Sequence, residues 1–278
     1  QVFGEIEDQA TSNEAIADLN KRKTNVDWFR NIDNPHTYDS DWIEFLPNRH
    51  NKETILGEMP DSLKDAIYSF LIGIKIRSLR GDEYEHKTML IHITRFQNVQ
   101  RQIVEMVDDF VNEIYSELAI GQINKIDNSH LEGIENVYYR DFENAGFSWE
   151  TIEENLSETV SLLKDHIFGI NGDIKDVIDE EKYEKGLVSI RIGGDKLSRG
   201  LTLPGLMVSY FLRTSRMYDT LMQMGRWFGY RDGYEDLCRI FTTGRLYNWY
   251  GHISFASEGL RRRIQQMNLR YLSPLEYR

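Results

Sequence analysis

The sequence is poor in cysteine and lacks long apolar runs. Cys238 is the only cysteine among 278 residues, which excludes an internal disulfide and a cysteine-based zinc cluster and suits a reducing cytoplasm. No stretch approaches the roughly 18 consecutive apolar residues that a membrane helix needs. The start, QVFGEIEDQATSNE, has neither the basic end nor the apolar run of a signal peptide. We therefore expect a cytoplasmic protein without a membrane partner. Because the chain does not begin with Met, we also expect it to be part of a longer protein.

Glycine followed by lysine is missing altogether. The phosphate-binding loop of many ATPases has the pattern G-x-x-x-x-G-K-[ST], in which backbone amides and the lysine hold the phosphates. The sequence contains no Gly-Lys dipeptide. We therefore predict that this chain does not hydrolyse ATP alone.

Only the C-terminal part of the chain has a net positive charge. The net charge of −12, taken alone, argues against sequence-independent binding of nucleic acid. Residues 1–186 carry 19 Lys/Arg against 38 Asp/Glu, whereas residues 187–278 carry 14 against 7, a net charge of +7. The basic charge therefore coincides with the unusual glycines and arginines of the second part.

The spacing of apolar residues predicts an α/β fold. Apolar runs of strand length occupy residues 86–94, 166–172, 187–192, 205–212 and 237–243. Helical spacing is found in residues 60–81, 96–118, 147–165 and 258–272. Near-continuous apolar strands separated by helices are typical of a parallel sheet covered on both faces. We therefore predict a three-layer α/β fold with about five parallel strands.

The same pattern suggests where the units begin and end. Residues 1–60 show no sustained periodicity and are interpreted as an arm or the tail of a preceding lobe. We expect the lobe itself at 61–245, with an insertion at 118–163 whose first part is irregular. Residues 246–278 are interpreted as a basic helical extension.

Two serines are predicted to begin helices. Ser62, with Asp65 three residues later, fits a capping box, and Gly81 marks the end of that helix. Ser148 is expected to cap the helix at 147–165.

Glycine and arginine are concentrated in the loops that follow two predicted strands. The strand 187–192 runs into GGDKLSRGLTLPG, and the strand 205–212 runs into RTSR. Ligands of open parallel sheets gather at the carboxyl ends of strands. Glycine allows close approach of the backbone, and donors suited to phosphate follow at Ser198, Arg199 and Thr202.

Two further arginines, Arg226 and Arg231, lie at the far end of the next helix. Arginine favours bidentate contact with phosphate oxygens. We therefore predict a phosphate-binding edge of the sheet.

Four ordered blocks of the sequence resemble the Z1 domain. They are MPDSLKDAIYSFL (59–71), MLIHITRFQNVQ (89–100), IGGDKLSRGLTLPGL (192–206) and YDTLMQMGRWFGYRDGYEDLCR (218–239). Within them, SRGLTLP and QMGRWFGYR are similar to motifs five and six in the second RecA-like lobe of superfamily-two helicases. The resemblance covers roughly residues 50–275 and implies a RecA-like lobe of the P-loop NTPase type.

The resemblance implies a role for each matching residue. The arginine finger that reaches the γ-phosphate of ATP would be Arg226 or Arg231. Contacts to the nucleotide would come from Gln223, Gly200, Thr202 and Gly225. Contacts to the nucleic-acid backbone would come from Thr94, Arg95, Ser198, Arg199 and Arg213.

Z1 domains accompany superfamily-two ATPases of prokaryotic restriction and phage-defence operons. The resemblance therefore implies that this chain is the second motor lobe of an ATP-dependent DNA translocase. The translocase as a whole would be an ATP hydrolase. ATP and Mg²⁺ would be bound mainly by an N-terminal RecA-like lobe of the same protein that lies outside this chain. DNA is the implied partner, with an associated nuclease or GHKL-type ATPase as a further one.

The chain departs from the common helicase motifs in two ways. Only Met224 separates Gln223 from the Gly-Arg pair, and four residues separate Arg226 from Arg231, so either arginine can be the finger. Thr202 stands where the common motif has an aspartate.

Three other interpretations remain open. The lobe could be a non-catalytic scaffold that recruits a partner without translocation. Asp61 after Pro60, together with Glu85 and Lys87, matches a P-D…E-x-K nuclease pattern, although Asp61 is expected to cap a helix and Glu85 and Lys87 precede a strand. Thr94 and Arg95 equally fit a helix cap and a surface charge.

Overall fold

The computed structural model describes residues 27–124, 129–170, 183, 186–194, 203–212 and 233–269. The strands in these residues are β1 (Phe29–Asn31), β2 (Lys87–His92), β3 (Ile167–Ile170), β4 (Val188–Gly193), β5 (Leu206–Phe211) and β6 (Arg239–Thr242). The α-helices are α1 (Trp42–Phe45), α2 (Asp61–Leu79), α3 (Gln97–Asn124), α4 (Ser129–Asp141), α5 (Trp149–Glu153), α6 (Leu156–Leu163) and α7 (Gly244–Leu269). Within these ranges, no helix combines the length and the apolar character that crossing a membrane requires.

The strands form one sheet in the order β1-β6-β5-β2-β4-β3. All neighbouring strands are parallel, and every residue of β2, β4 and β5 is buried. A parallel strand that is buried on both faces is a continuous apolar run, which is why the sequence located these strands. The predicted α/β fold with a parallel sheet is confirmed, and β1 is a sixth strand that the pattern did not predict.

Alternate residues of the central strand enter two different cores. Met89 and Ile91 of β2 belong to the main core, which is formed with helices α2 to α6. Leu90, between them, belongs to a smaller core on the opposite face, together with Phe211 of β5 and Leu246 of α7. Helices therefore cover both faces of the sheet, an arrangement compatible with the predicted three layers.

The segment before α2, which we expected to be an arm, contributes to the sheet and to α2. Phe29–Asn31 extends the sheet beside β6. Asp41 accepts hydrogen bonds of 2.8 Å from both the backbone amide and the hydroxyl of Ser62, and so caps α2 from a distant loop. The predicted capping box is wrong, because Ser62 lies within the first turn and Asp65 accepts a hydrogen bond from Tyr38 instead.

Residues 118–163 are largely helical and form part of the helical layer. The prediction that this segment begins irregularly was wrong, since α3 continues into it and α4 packs on α2. The single helix expected at 147–165 is divided into α5 and α6, because Asn155 adopts a left-handed φ of 56°. Ser148 occupies the N-cap position of α5, but its side chain makes no capping hydrogen bond.

A buried carboxylate ties α4 to β1. The Asp141 side chain, 2% exposed, accepts hydrogen bonds from Arg30 Nε at 2.9 Å and from Arg140 Nη2 at 3.0 Å. Burial alone would raise the pKa of Asp141, but the hydrogen bonds from Arg30 and Arg140 outweigh it and hold the pKa below its ordinary value. Arg140 also contacts Asp65 of α2 at 2.7 Å, so one charge network joins β1, α2 and α4.

Gly205 allows β5 to begin beside β2. Its φ is +66°, and a Cβ at this position would lie 1.7 Å from the His86 carbonyl oxygen. The backbone amide of Thr88 donates to the Gly205 carbonyl at 2.9 Å, and its hydroxyl donates to the Pro204 carbonyl at 2.8 Å. The end of the loop SRGLTLPG is therefore fixed to the start of β2.

Candidate functional site

A crevice opens where the chain leaves neighbouring strands in opposite directions. After β2 the chain continues towards β3, whereas after β5 it continues towards β6 on the other side of the sheet. Such a switch point creates a crevice at the carboxyl ends of the two strands, where open parallel sheets bind their ligands. A cleft of about 510 Å³ lies there, with an apolar floor formed by Leu46, Ile93 and Leu212.

Thr94, directly after β2, is fixed in the wall of this cleft. Its hydroxyl accepts a hydrogen bond from the Phe96 amide at 3.2 Å, as in a turn closed by a threonine side chain, and lies 2.9 Å from His50 Nε2. His50 Nδ1 lies 3.1 Å from the carbonyl oxygen of Pro47. Because a carbonyl can only accept, His50 Nδ1 carries a proton and donates it to the Pro47 carbonyl. The Thr94 side chain therefore holds the turn that precedes α3, but it is not the helix cap, because Phe96 is the residue before the first helical residue, Gln97.

Arg95 and Arg245 form the positively charged rim of the cleft. Both are exposed, and neither has a carboxylate partner within ion-pair distance in the described part of the chain. Each guanidinium is held over an aromatic ring, Arg95 at 5.0 Å from the centre of Phe96 and Arg245 at 4.7 Å from that of Trp249. Because rings hold these groups, their charge remains available to an anion.

The carboxylate in this lining is already engaged. Asp33 accepts hydrogen bonds from Trp42 Nε1 at 2.9 Å, from the Ser40 hydroxyl at 3.3 Å and from the Gly244 amide at 3.1 Å. It therefore joins the loop after β1 to the first residue of α7. The same bonds hold the Asp33 carboxylate in place, and the two arginines outnumber it, so the charged side chains of the lining have a net charge of +1.

The first residue of the glycine-rich loop after β4 lies against the same turn. A Cβ on Gly194 would be 2.6 Å from Gln100 Nε2 and 3.2 Å from the Thr94 carbonyl oxygen. Gln100 is buried, and its Nε2 donates to that carbonyl at 2.9 Å. The beginning of the loop and the Thr94 turn are thus in direct contact, as their positions after adjacent strands predict.

Only part of the predicted site falls within the described residues. Thr94 and Arg95 are placed in one cleft. The other predicted site residues lie outside the described residues and stay predictions: Ser198, Arg199, Gly200, Thr202, Arg213, Gln223, Gly225, Arg226 and Arg231.

Sequence reasoning missed Arg245, His50 and Phe96. Arg245 had a local signal, because Thr-Gly-Arg follows β6 and a Thr-Arg pair comes shortly after β2. His50 had none, since it lies in a turn remote in sequence from every strand end. Phe96 was predicted to begin a helix and was not recognised as a residue that lines the cleft.

The nuclease pattern does not form a site. Asp61 begins α2 and pairs with Lys64 at 2.8 Å, whereas Glu85 and Lys87 follow the other end of this 19-residue helix, about 28 Å away. The ammonium of Lys87 donates to backbone carbonyls of the preceding turn, including that of Glu85 at 3.2 Å. Burial, with the nearby Arg77, lowers the pKa of Lys87 to about 8. Lys87 therefore closes the turn at the amino end of β2, far from the crevice.

Metal ligands are not gathered in this part of the molecule. Among the described residues, no group of three or more His, Cys, Asp or Glu side chains is placed to hold a metal ion. The described cleft thus offers guanidinium, aromatic and apolar groups, which suit an organic anion better than a cation.

Comparison with known proteins gives one match. The family model described as Z1 domain matches residues 62–278, which is most of the chain. Neither the curated proteins nor the solved structures contain a match. The matched region holds β2 to β6 and one wall of the cleft, and it includes the glycine-rich loop and both predicted finger arginines. The chain therefore belongs to the Z1 domain family.

Proposed function

We propose that the chain is the second RecA-like lobe of an ATP-dependent, superfamily-two helicase-like translocase that acts on DNA in a cytoplasmic restriction or phage-defence system. The observation that carries this proposal is the rim of the cleft. Arg95 and Arg245 present guanidinium groups, without carboxylate partners in the described residues, at the carboxyl edge of a parallel sheet. Phosphodiester oxygens are natural ligands of such groups. Membership of the Z1 family and the glycine-rich loop that begins beside Thr94 support the same assignment.

The two arginines would hold the DNA by its backbone. Contacts to phosphate position a protein without reading the sequence, which suits a motor that must move over any sequence. The turn that carries Arg95 is fixed by the hydrogen bonds of Thr94 to Phe96 and His50, so its guanidinium is presented from a rigid support. Binding of this kind releases counterions and weakens steeply with salt.

The glycine-rich loop would couple this contact to the nucleotide. Gln100 bridges Gly194, where the loop begins, and the carbonyl of Thr94. A change in the loop can therefore reach the DNA-binding turn through one buried side chain. In the proposal Arg226 or Arg231 contacts the γ-phosphate of ATP, which is bound with Mg²⁺ on a first lobe, and closure of the two lobes moves the bound backbone.

ATP hydrolysis by the intact protein, with and without duplex DNA, tests this proposal. We expect DNA to stimulate turnover, and we expect Arg226→Ala or Arg231→Ala to abolish the stimulated rate while nucleotide binding is kept. An arginine finger contributes about 10³–10⁵ to the rate, so the loss identifies the finger. Arg95→Ala should raise the DNA concentration needed for half-maximal stimulation.

Arg261→Ala is the matched control for Arg95→Ala, because Arg261 is an exposed arginine on α7, well beyond the cleft. This variant should respond to DNA like the wild type. Absence of turnover in the wild type would refute the motor and favour the non-catalytic scaffold.

A further inference from the structure

The cleft contains more than a phosphate-binding groove requires. Its walls include two aromatic side chains, Trp42 and Phe96, and the imidazole of His50, above an apolar floor. Its volume of about 510 Å³ lies within the range of about 300–1,000 Å³ that encloses small organic ligands. Backbone phosphates alone would need neither the rings nor the depth.

The aromatic wall is held in place before any ligand arrives. Phe96 is half-buried, and its ring is nearly perpendicular to that of His50, with ring centres 5.6 Å apart and an interplanar angle of 87°. His50 is fixed through both ring nitrogens, to Pro47 and to Thr94, and Trp42 is fixed through its Nε1 to Asp33. A rigid wall loses little conformational entropy when a flat ligand stacks on it.

Charged and aromatic side chains line the same cleft. Arg95 lies over Phe96, and Arg245 enters the same cleft from the start of α7. Nucleobases stack both on aromatic rings and on guanidinium planes, and arginine also binds the adjoining phosphates. An apolar floor, an aromatic wall and a cationic rim together match one nucleotide unit.

On the basis of the proposed function, we infer that this cleft takes the base of an unpaired nucleotide of a single DNA strand, stacked at Phe96, while Arg95 and Arg245 hold the flanking phosphates. A base within a duplex is stacked on its neighbours and cannot enter a cleft until it is unpaired. The lobe therefore binds a single strand more tightly than a duplex of the same length. Stacking tolerates every base, so the preference is for strandedness and not for sequence.

The test measures Kd of the full chain, by fluorescence anisotropy at one salt concentration, for three labelled DNA probes of equal length. The probes are a thymidine oligonucleotide, a strand of abasic residues with the same backbone, and a duplex. Stacking of a single base is worth about 5–150-fold in affinity, so the thymidine strand should bind more tightly than the abasic strand by that factor. The duplex should resemble the abasic strand.

Substitutions locate the effect. Phe96→Leu keeps an apolar side chain but removes the ring, and it should bring the ratio of abasic to thymidine Kd close to one. Phe96→Tyr keeps the ring and should keep the ratio. Arg245→Ala should weaken binding of all three probes, whereas Arg261→Ala, on the same helix about 24 Å further along, should change none. Thermal unfolding of each variant verifies that it is folded.

Each outcome separates the inference from the proposed function. Equal affinity of the wild type for thymidine and abasic strands, or a ratio that survives in Phe96→Leu, refutes the base-binding cleft but leaves the phosphate-binding motor lobe intact. Failure of all three probes to bind refutes both. Loss of the ratio in both Phe96→Leu and Phe96→Tyr would assign Phe96 a packing role and would also refute base stacking.

Discussion

Replacing Asp141 by asparagine should destabilise the lobe far more than its small change in shape suggests. The carboxylate accepts three hydrogen bonds, one from Arg30 Nε at 2.9 Å and two from Arg140 at 3.2 and 3.0 Å, and it forms an ion pair with Arg30 Nη2 at 2.7 Å. An asparagine can still accept from one arginine, but its NH₂ group then faces the donors of the other. Two charged hydrogen bonds are lost, at about 1.5 kcal/mol each. The arginine side chains are 15% and 36% exposed and keep some hydration, so we expect about 3 kcal/mol, the lower end for a broken buried pair.

Thermal unfolding followed by circular dichroism at pH 7 measures this effect. For a chain of this size about 3 kcal/mol corresponds to a fall in Tm of about 6–12 °C. Asp27→Asn is the matched control, because Asp27 lies 3.5 Å from the same Arg30 but its side chain is 82% exposed. Its replacement should cost less than about 0.5 kcal/mol. A fall in Tm below about 2 °C for Asp141→Asn, or an equal fall for Asp27→Asn, would contradict the role of the buried network.

The difference in stability between the wild type and Asp141→Asn should depend on pH. The pKa of Asp141 is lower in the folded chain than in the unfolded chain, where it is about 3.9. Its stabilisation is therefore complete above that value and is lost as pH falls through the folded pKa. The difference in Tm between wild type and Asp141→Asn should stay constant from pH 8 to pH 5 and shrink below about pH 4. A difference that persists unchanged at lower pH would show that the charge of Asp141 is not its cause.

Two further substitutions test features that no local pattern predicted. Asp41→Ala removes the cap of α2 and should lower the free energy of unfolding, measured by urea denaturation, by about 1–2 kcal/mol. The control is Glu44→Ala, because Glu44 is exposed on α1 and its replacement should leave the free energy of unfolding unchanged. Equal effects of the two substitutions would refute capping by Asp41. Gly205→Ala should cost more than about 2 kcal/mol, because the new methyl group meets the His86 carbonyl, while Gly233→Ala, with a φ of +82° but open space, should cost about 1 kcal/mol. Similar losses for both glycines would mean that backbone conformation alone matters at Gly205.

The sequence predicted five of the six strands, and the three central ones are buried along their whole length. β2, β4 and β5 each carry at least three apolar residues and have no solvent side, so an apolar run of strand length identifies them. β1 has three half-buried residues at an edge and carries no comparable run. The polar stretch after residue 118 was misread for a related reason, since a helix that covers only one side of a core shows few apolar residues.

The candidate site was predictable where its residues follow a strand and not elsewhere. Thr94 and Arg95 were located because they stand at the carboxyl end of β2, where ligands of parallel sheets bind. His50 and Trp42 enter the cleft from a segment whose path depends on contacts with α2 and α7, such as those of Asp41 and Asp33. Contacts of this kind join residues far apart in the chain and leave no periodic signal.

The bond between Asp33 and the Gly244 amide has a consequence for how the protein is made. It joins residues 211 positions apart, and β1 pairs with a strand equally late in the chain. On the ribosome, Trp42 and His50 emerge long before Arg245, so these side chains of the cleft cannot reach their final environment until Arg245 has been synthesised. Non-local pairing of this kind is slow and leaves strand edges exposed in the meantime. The cleft is therefore completed only once Arg245 has been synthesised, and residues from 62 onwards, where the family match starts, do not include the wall that carries Trp42 and His50.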